Sequence, residues 1–127
     1  MKKIKKILTF GFYVANLILI TFYLYPGSIF GCFVYNNCNL QPQITKDFII
    51  SSNHFYVFAI LSTLGILTYK NTKKIKFLIL YLFFLSCFLE LFHMIIPNRS
   101  FQIIDLFGNI AGVVFVIIIY KVKNKYV

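Results

Sequence analysis

Four apolar runs, separated by short polar or turn-forming stretches, make up most of this chain: 7–25, 48–69, 77–96 and 101–120. Each is close to the ~20 residues that an α-helix needs to cross the ~30 Å hydrocarbon core of a bilayer. Inside lipid only helices and closed barrels satisfy their own backbone, and long unbroken apolar runs select helices. The pattern therefore predicts an all-α fold, a four-helix transmembrane bundle forming a single domain over residues 1–127.

The breaks between runs are as informative as the runs. Pro26-Gly27 ends the first, and Pro97-Asn98-Arg99-Ser100 makes a tight turn between the third and fourth. A 22-residue connection, 26–47, joins the first two; loops of that length usually carry structure or function. Its Ile29, Phe30, Phe33, Val34 and Tyr35 are apolar enough to lie on the membrane surface or to plug back against the bundle. Both arrangements stay open. The second run opens with Ser51-Ser52-Asn53-His54, and the apolar remainder is 15 residues. That remainder makes about 22 Å of helix, too short to span alone, so the polar tetrad is expected within the outer part of the membrane.

Charge gives the runs a direction. Hydrophobic residues are 60% of the chain and charged ones 13%, about half the share of a soluble domain. The net charge of +10 suggests nucleic acid at first sight, but the lysines border the apolar runs and no soluble domain carries a basic groove. Lys2, Lys3, Lys5 and Lys6 start the chain, Lys70, Lys73, Lys74 and Lys76 fill the middle loop, and Lys121, Lys123 and Lys125 lie in the tail. Only Lys46 and Arg99 fall in the other two connections. By the positive-inside rule both termini and the 70–76 loop are cytoplasmic, in a multi-pass protein of the inner (cytoplasmic) membrane. A signal peptide is the alternative for the first run, but the run is long and no small-x-small site follows it.

Cys32 and Cys38 share the first connection, where an oxidising compartment permits a disulfide; two unpaired thiols are the other reading. Cys87 lies in the third run.

Candidate chemistry concentrates in residues 90–112. Two of the three acidic residues, Glu90 and Asp105, stand inside apolar runs, where a carboxylate is costly and marks a functional-site hypothesis. Measured at 1.5 Å per residue from Phe48, Pro97 and Ser100, His54, Glu90 and Asp105 lie about 9, 10 and 7 Å deep, with Asn109 at about 13 Å. Three helices thus bring ionisable groups to one slab. Glu90 and His93 are i, i+3, and Asp105, Asn109 and Gly112 are i, i+4, i+7, so each set lines one helix face. Gly108 and Gly112 form a GxxxG that admits a second helix closely. Each residue alone has a plainer role: Asn109 as interhelical glue, His54 as a satisfied structural group, Arg99 as a headgroup anchor. Their convergence favours a pocket.

These residues resemble a known family. Glu90, Pro97, Arg99, Asp105, Asn109 and Gly112 match the C-terminal signature of the VanZ-like family, whose founding member is associated with teicoplanin resistance, and His54-Phe55 resembles its upstream element. The likeness covers roughly 48–120. Two positions depart: His93 replaces the usual Gln, and the Asp-Lys pair before the His is missing, with Lys46-Asp47 upstream in reversed order. The resemblance implies a cell-envelope context, including glycopeptide resistance, and not a mechanism.

Two functions follow from these residues. One is a site beneath the outer face that binds or processes a lipid or lipid-linked envelope component. There His54, Glu90 and Asp105 are the acid–base candidates, and Arg99, Asn109 and His93 bind. The alternative is a non-catalytic bundle whose polar network is structural or binds a partner. An ion pathway is disfavoured, since the inner halves offer little beyond Ser62, Thr63 and Thr68. No metal and no cofactor is expected: Glu-x-x-His occurs once and HExxH is absent. The sidedness is checked by labelling intact cells with a membrane-impermeant thiol reagent after reduction. Cys32 and Cys38 should react from outside; reaction only in broken cells reverses the topology.

Overall fold

Five helices form along the chain: α1 (Lys2–Leu24), α2 (Ile29–Tyr35), α3 (Ser52–Tyr69), α4 (Ile75–Phe92) and α5 (Ile103–Tyr126). They come from a computed structural model that describes residues 2–126, and no strand occurs among those residues. The helices α1, α4 and α5 are long and apolar enough to cross a membrane. Large apolar side chains such as Phe10, Leu17, Leu80, Phe84 and Ile118 point outward from them. The second expected span is shorter than its apolar run, because α3 starts at Ser52 rather than at Phe48.

The helix boundaries have local causes. Asp47 Oδ1 accepts the Ser52 amide at 2.8 Å, so the carboxylate satisfies a free N–H at the start of α3 and leaves Phe48 and Ile49 outside, exposed. At the same end of the bundle, α4 stops at Phe92 rather than running on to Ile96. His93, Met94 and Ile95 instead donate to carbonyls three residues back, a tightened turn that leads into Pro97. Asn98 takes the left-handed conformation (φ 59°) that asparagine tolerates better than most residues.

Helix α3 is the hub. It packs against α1, α4 and, most extensively, α5. Phe58 and Leu61 of α3, Leu82 of α4 and Val113 of α5 are almost wholly buried at the centre. The α3–α5 contact depends on the two glycines of the GxxxG. A Cβ on Gly108 would lie 2.7 Å from the Ser51 carbonyl oxygen, and one on Gly112 would lie 2.5 Å from that of Phe55. Both neighbours are backbone and cannot swing away. Further along, Asn16 of α1 and Tyr81 of α4 exchange hydrogen bonds at 2.6 and 2.8 Å, the interhelical role open to a lone amide in a span.

The 26–51 connection is fastened to the bundle by hydrogen bonds with α3 and Arg99, while Phe30, Phe33, Val34 and Tyr35 stay exposed. Ser28 caps α2 by accepting the Gly31 amide, and Cys32 and Cys38 form a disulfide that closes α2 on the segment after it. Gly27 turns the chain with φ 93°, where a side chain would strike the Cys38 carbonyl. The tetrad that opens α3 divides its labour. Ser52 Oγ donates to the Thr45 carbonyl, and Asn53 accepts from the Ile44 amide and donates to the Pro42 carbonyl. Ser52 and Asn53 thus fasten the loop, while His54 turns inward.

Because the neighbours of Gly112 are backbone, Gly112→Val should force α3 and α5 apart and cost about 1–3 kcal/mol, read as a lowered melting temperature in detergent. Gly11→Ala, where a Cβ meets nothing within 4 Å, is the control and should melt at or slightly above the parent, since alanine favours helix over glycine.

Candidate functional site

His54 is the third residue of α3, Glu90 the third from the end of α4 and Asp105 the third of α5. The three therefore sit about 3 Å inside their helix ends, shallower than the run lengths implied, since the helices stop short of Phe48, Pro97 and Ser100. They nonetheless meet. His54 Nε2 lies 3.6 Å from Asp105 Oδ2, and His54 Nδ1 lies 3.8 Å from Glu90 Oε2. Glu90 and Asn109 are fully buried, His93 and His54 nearly so, and Asp105 is partly open. Asp105 also falls in the first turn of α5, where free amides favour a carboxylate.

A tyrosine holds the cluster together. The Tyr23 hydroxyl donates to Asn109 Oδ1 at 2.5 Å and meets His54 Nδ1 at 2.8 Å. Its one proton is committed to Asn109, so it accepts from His54, and Nδ1 carries the imidazole proton. The same N–H also faces Asn109 Oδ1 at 3.0 Å. Asn109 Nδ2 donates in turn to the Ser86 carbonyl of α4, which fixes the amide's orientation. Helices α1, α3, α4 and α5 are thereby linked through four side-chain contacts. The lone pair of His54 Nε2 is left facing Asp105.

His93 and Arg99 serve the end of α1. The Tyr23 carbonyl accepts from His93 Nε2 at 3.1 Å, and the Tyr23 ring stacks on the His93 ring 5.5 Å away. Since a carbonyl only accepts, Nε2 is protonated, and the 3.2 Å contact from His93 Nδ1 to Glu90 Oε1 holds one further proton between imidazole and carboxyl. The Gln102 amide donates to the same Oε1 at 3.1 Å. Arg99 donates from Nη2 to the Phe22 carbonyl, from Nε to the Tyr25 carbonyl and from Nη1 to Gln41 Oε1. Its cation thus lies against the carbonyl end of α1, where the helix dipole favours positive charge. Partial burial lowers the guanidinium from its ordinary value, and the charges of Tyr23, Glu90 and Asp105 oppose that shift. Two of its five N–H groups have no hydrogen-bond partner among the described residues.

Beside this network lies a cavity of about 390 Å³. Leu19 and Phe22 of α1, Ile29 and Phe30 of α2 and Val57 of α3 make its apolar wall, and His54, His93 and Arg99 supply polar edges. Residues 41–44 of the connection cover one side.

All six residues singled out in the sequence, His54, Glu90, His93, Arg99, Asp105 and Asn109, thus come to one end of the bundle. Arg99 and Asn109 spend most of their donors on protein carbonyls. Tyr23 went unnoticed in the sequence, yet it touches His54, His93 and Asn109. A tyrosine in the last turn of an apolar span needs a partner for its hydroxyl, and that was the available signal. Gln41 and the Gln102 amide could not be foreseen, because both reach the cluster from irregular chain.

These features describe an all-helical protein with three helices long and apolar enough to cross a membrane and a buried polar cluster near one end, to which α1, α3, α4 and α5 contribute. A family model for VanZ/LLP1 matches residues 10–124, and the chain belongs to that family. Its apolar helices fit a membrane protein. Comparison with curated proteins gave no significant match, and comparison with solved structures gave none either.

The capping geometry makes Arg99 irreplaceable by another cation. Lysine keeps the charge but lacks the fork that reaches two carbonyls, so Arg99→Lys should lower thermal stability in detergent by about 1–3 kcal/mol. A melting curve superimposable on the parent's would show that the α1 carbonyls need no such donor.

Proposed function

We propose that this protein is a four-span member of the bacterial cytoplasmic membrane, both termini inside, whose cavity beneath the outer face takes a lipid or lipid-linked envelope component. The observation that carries this reading is the cavity's two-part wall. Leu19, Phe22, Ile29 and Val57 offer a surface for acyl or prenyl chain, while Arg99, His54 and His93 stand at its edge. The two Arg99 N–H groups without a partner among the described residues suit a phosphate oxygen, which accepts charge-assisted bonds well. His54 Nε2, with its lone pair toward Asp105, suits a general base, and Glu90 positions the cluster through His93.

The non-catalytic reading draws on a different observation. Tyr23, Asn109 and His93 satisfy one another and the α1 and α4 carbonyls, as a purely structural network would. Glu90→Gln separates the two: a structural role tolerates the amide, whereas an acid–base cluster that relies on the proton Glu90 shares with His93 does not.

The test is survival of expressing cells under teicoplanin, with membrane insertion checked by fractionation. Glu90→Ala and Asp105→Ala should lose any protection while still reaching the membrane. Val57→Phe, which narrows the cavity without touching the polar cluster, should lose it too. Unchanged protection in all three removes the proposal.

A further inference from the structure

The two carboxylates and one imidazole that meet at the end of the bundle raise a question the hydrogen bonds do not answer. Glu90 is wholly buried, and its Oε1 is engaged twice, by His93 and by the Gln102 amide. Its Oε2 has no hydrogen-bond partner among the described residues. A buried oxygen left bare costs about 1–3 kcal/mol, and more where the group is charged. It is also the oxygen nearest His54, 3.8 Å from Nδ1.

The surroundings sharpen the point. Ligand atoms from His54, Glu90 and Asp105 all lie within 4.8 Å of one another. Two carboxylates that close, in a place poor in water, repel strongly unless something positive offsets them. Among the described residues no lysine bonds to either, three of the N–H groups of Arg99 are turned to Phe22, Tyr25 and Gln41, and the proton shared with His93 lies at Glu90 Oε1, which leaves Oε2 and Asp105 without one. His54 keeps its proton on Nδ1, held by Tyr23 and Asn109, and presents the bare Nε2 to Asp105 Oδ2 at 3.6 Å. An imidazole whose far nitrogen is pinned by a hydrogen bond, with the near one free beside carboxylates, is the arrangement found around metal-bound histidines.

We infer that His54, through Nε2, and the carboxylates of Glu90 and Asp105 form a binding site for one divalent first-row transition cation, zinc or manganese. The donor set decides the class. One imidazole among oxygens favours these ions over magnesium and calcium, which take oxygen alone, and the absence of thiolate in the set disfavours copper(I). His93 is not a ligand. Both of its nitrogens are spent, on Glu90 Oε1 and the Tyr23 carbonyl, and its part is to hold Glu90 so that Oε2 faces the site. The Glu-x-x-His spacing therefore supplies one ligand and its support rather than two ligands. Sequence argued against a metal because HExxH is absent and the Glu-x-x-His motif, even with His54 and Asp105 as possible further ligands, is weak; the fold brings ligand atoms of His54, Glu90 and Asp105 within 4.8 Å of one another. Three protein ligands leave a position for water or a phosphate oxygen, as metal sites that act on substrates do. The inference holds whether or not the neighbouring cavity takes a lipid, but it replaces the general-base role of His54, since a metal on Nε2 takes up the lone pair that role needs.

The experiment uses the full chain purified in detergent, stripped with chelator and then incubated with Zn²⁺ or Mn²⁺. Bound metal is counted by mass spectrometry after removal of excess, and melting is followed against metal concentration. One ion per chain is expected, with a melting temperature that climbs as metal is added, since binding to the folded form alone stabilises it. Asp105→Asn and Glu90→Gln keep the shape of each side chain, so their metal-free melting should stay near the parent's, and each should weaken binding at least tenfold. His93→Gln should weaken it about 10- to 100-fold, as loss of a ligand's support does. Two results overturn the inference. One is no ion above the level of the Asp105→Asn variant with either metal, which leaves a shared proton as the offset. The other is binding that all three substitutions leave unchanged, which places the ion elsewhere.

Discussion

The fully buried carboxyl of Glu90 is the constraint from which the rest of this end of the bundle follows. An ionisable group inside an apolar helix persists only where neighbours supply donors, charge or a proton. Here one oxygen draws in His93 from the end of α4 and the Gln102 amide from the entry to α5. His93 in turn fixes the Tyr23 carbonyl, and Tyr23 fixes His54 and Asn109. Each step carries the chain to another helix. Four helices are thereby held in one register by polar contacts, in a setting where apolar packing against lipid would not choose between registers.

Close packing makes those contacts reachable. The hydroxyl, imidazole and amide meet only because α5 lies against α3 with backbone nearly touching backbone at Gly108 and Gly112. Asn109 stands between these glycines, so the groove that admits α3 also delivers the amide to it. The same reasoning explains the connection above. Ser52 and Asn53 hold its 42–47 segment down by three hydrogen bonds to backbone, Arg99 reaches Gln41, and a disulfide stiffens the part around α2. The covered cavity is a consequence of a loop that is fastened, not merely long.

Much of this was legible in the sequence, for reasons that can be named. Glu90 and Asp105 are conspicuous because a carboxylate in an apolar run is expensive, and helical spacing then assigns them the faces that also carry His93 and Asn109. GxxxG pointed correctly to a close helix approach. Helix ends were not legible: Asp47 starts α3 four residues inside the apolar run, and the turn before Pro97 ends α4 early, so the cluster is shallower than counted. The tetrad's split between Ser52-Asn53 and His54 depends on how the loop returns, which no local pattern encodes. The expected headgroup anchor, Arg99, is largely occupied with α1 carbonyls, and Tyr23 was hidden among many aromatic residues.

The central claim is that side chains from separate helices form one interlocked polar layer rather than a set of independent packing groups. A double-mutant cycle across α1 and α5 measures this most directly, using Tyr23→Phe, Asn109→Ala and the pair, with unfolding followed in detergent. Interlocking predicts that the double variant departs from the sum of the singles by about 0.5–3 kcal/mol. Additivity within experimental error would contradict it and reduce the cluster to neighbours that share a place and nothing more.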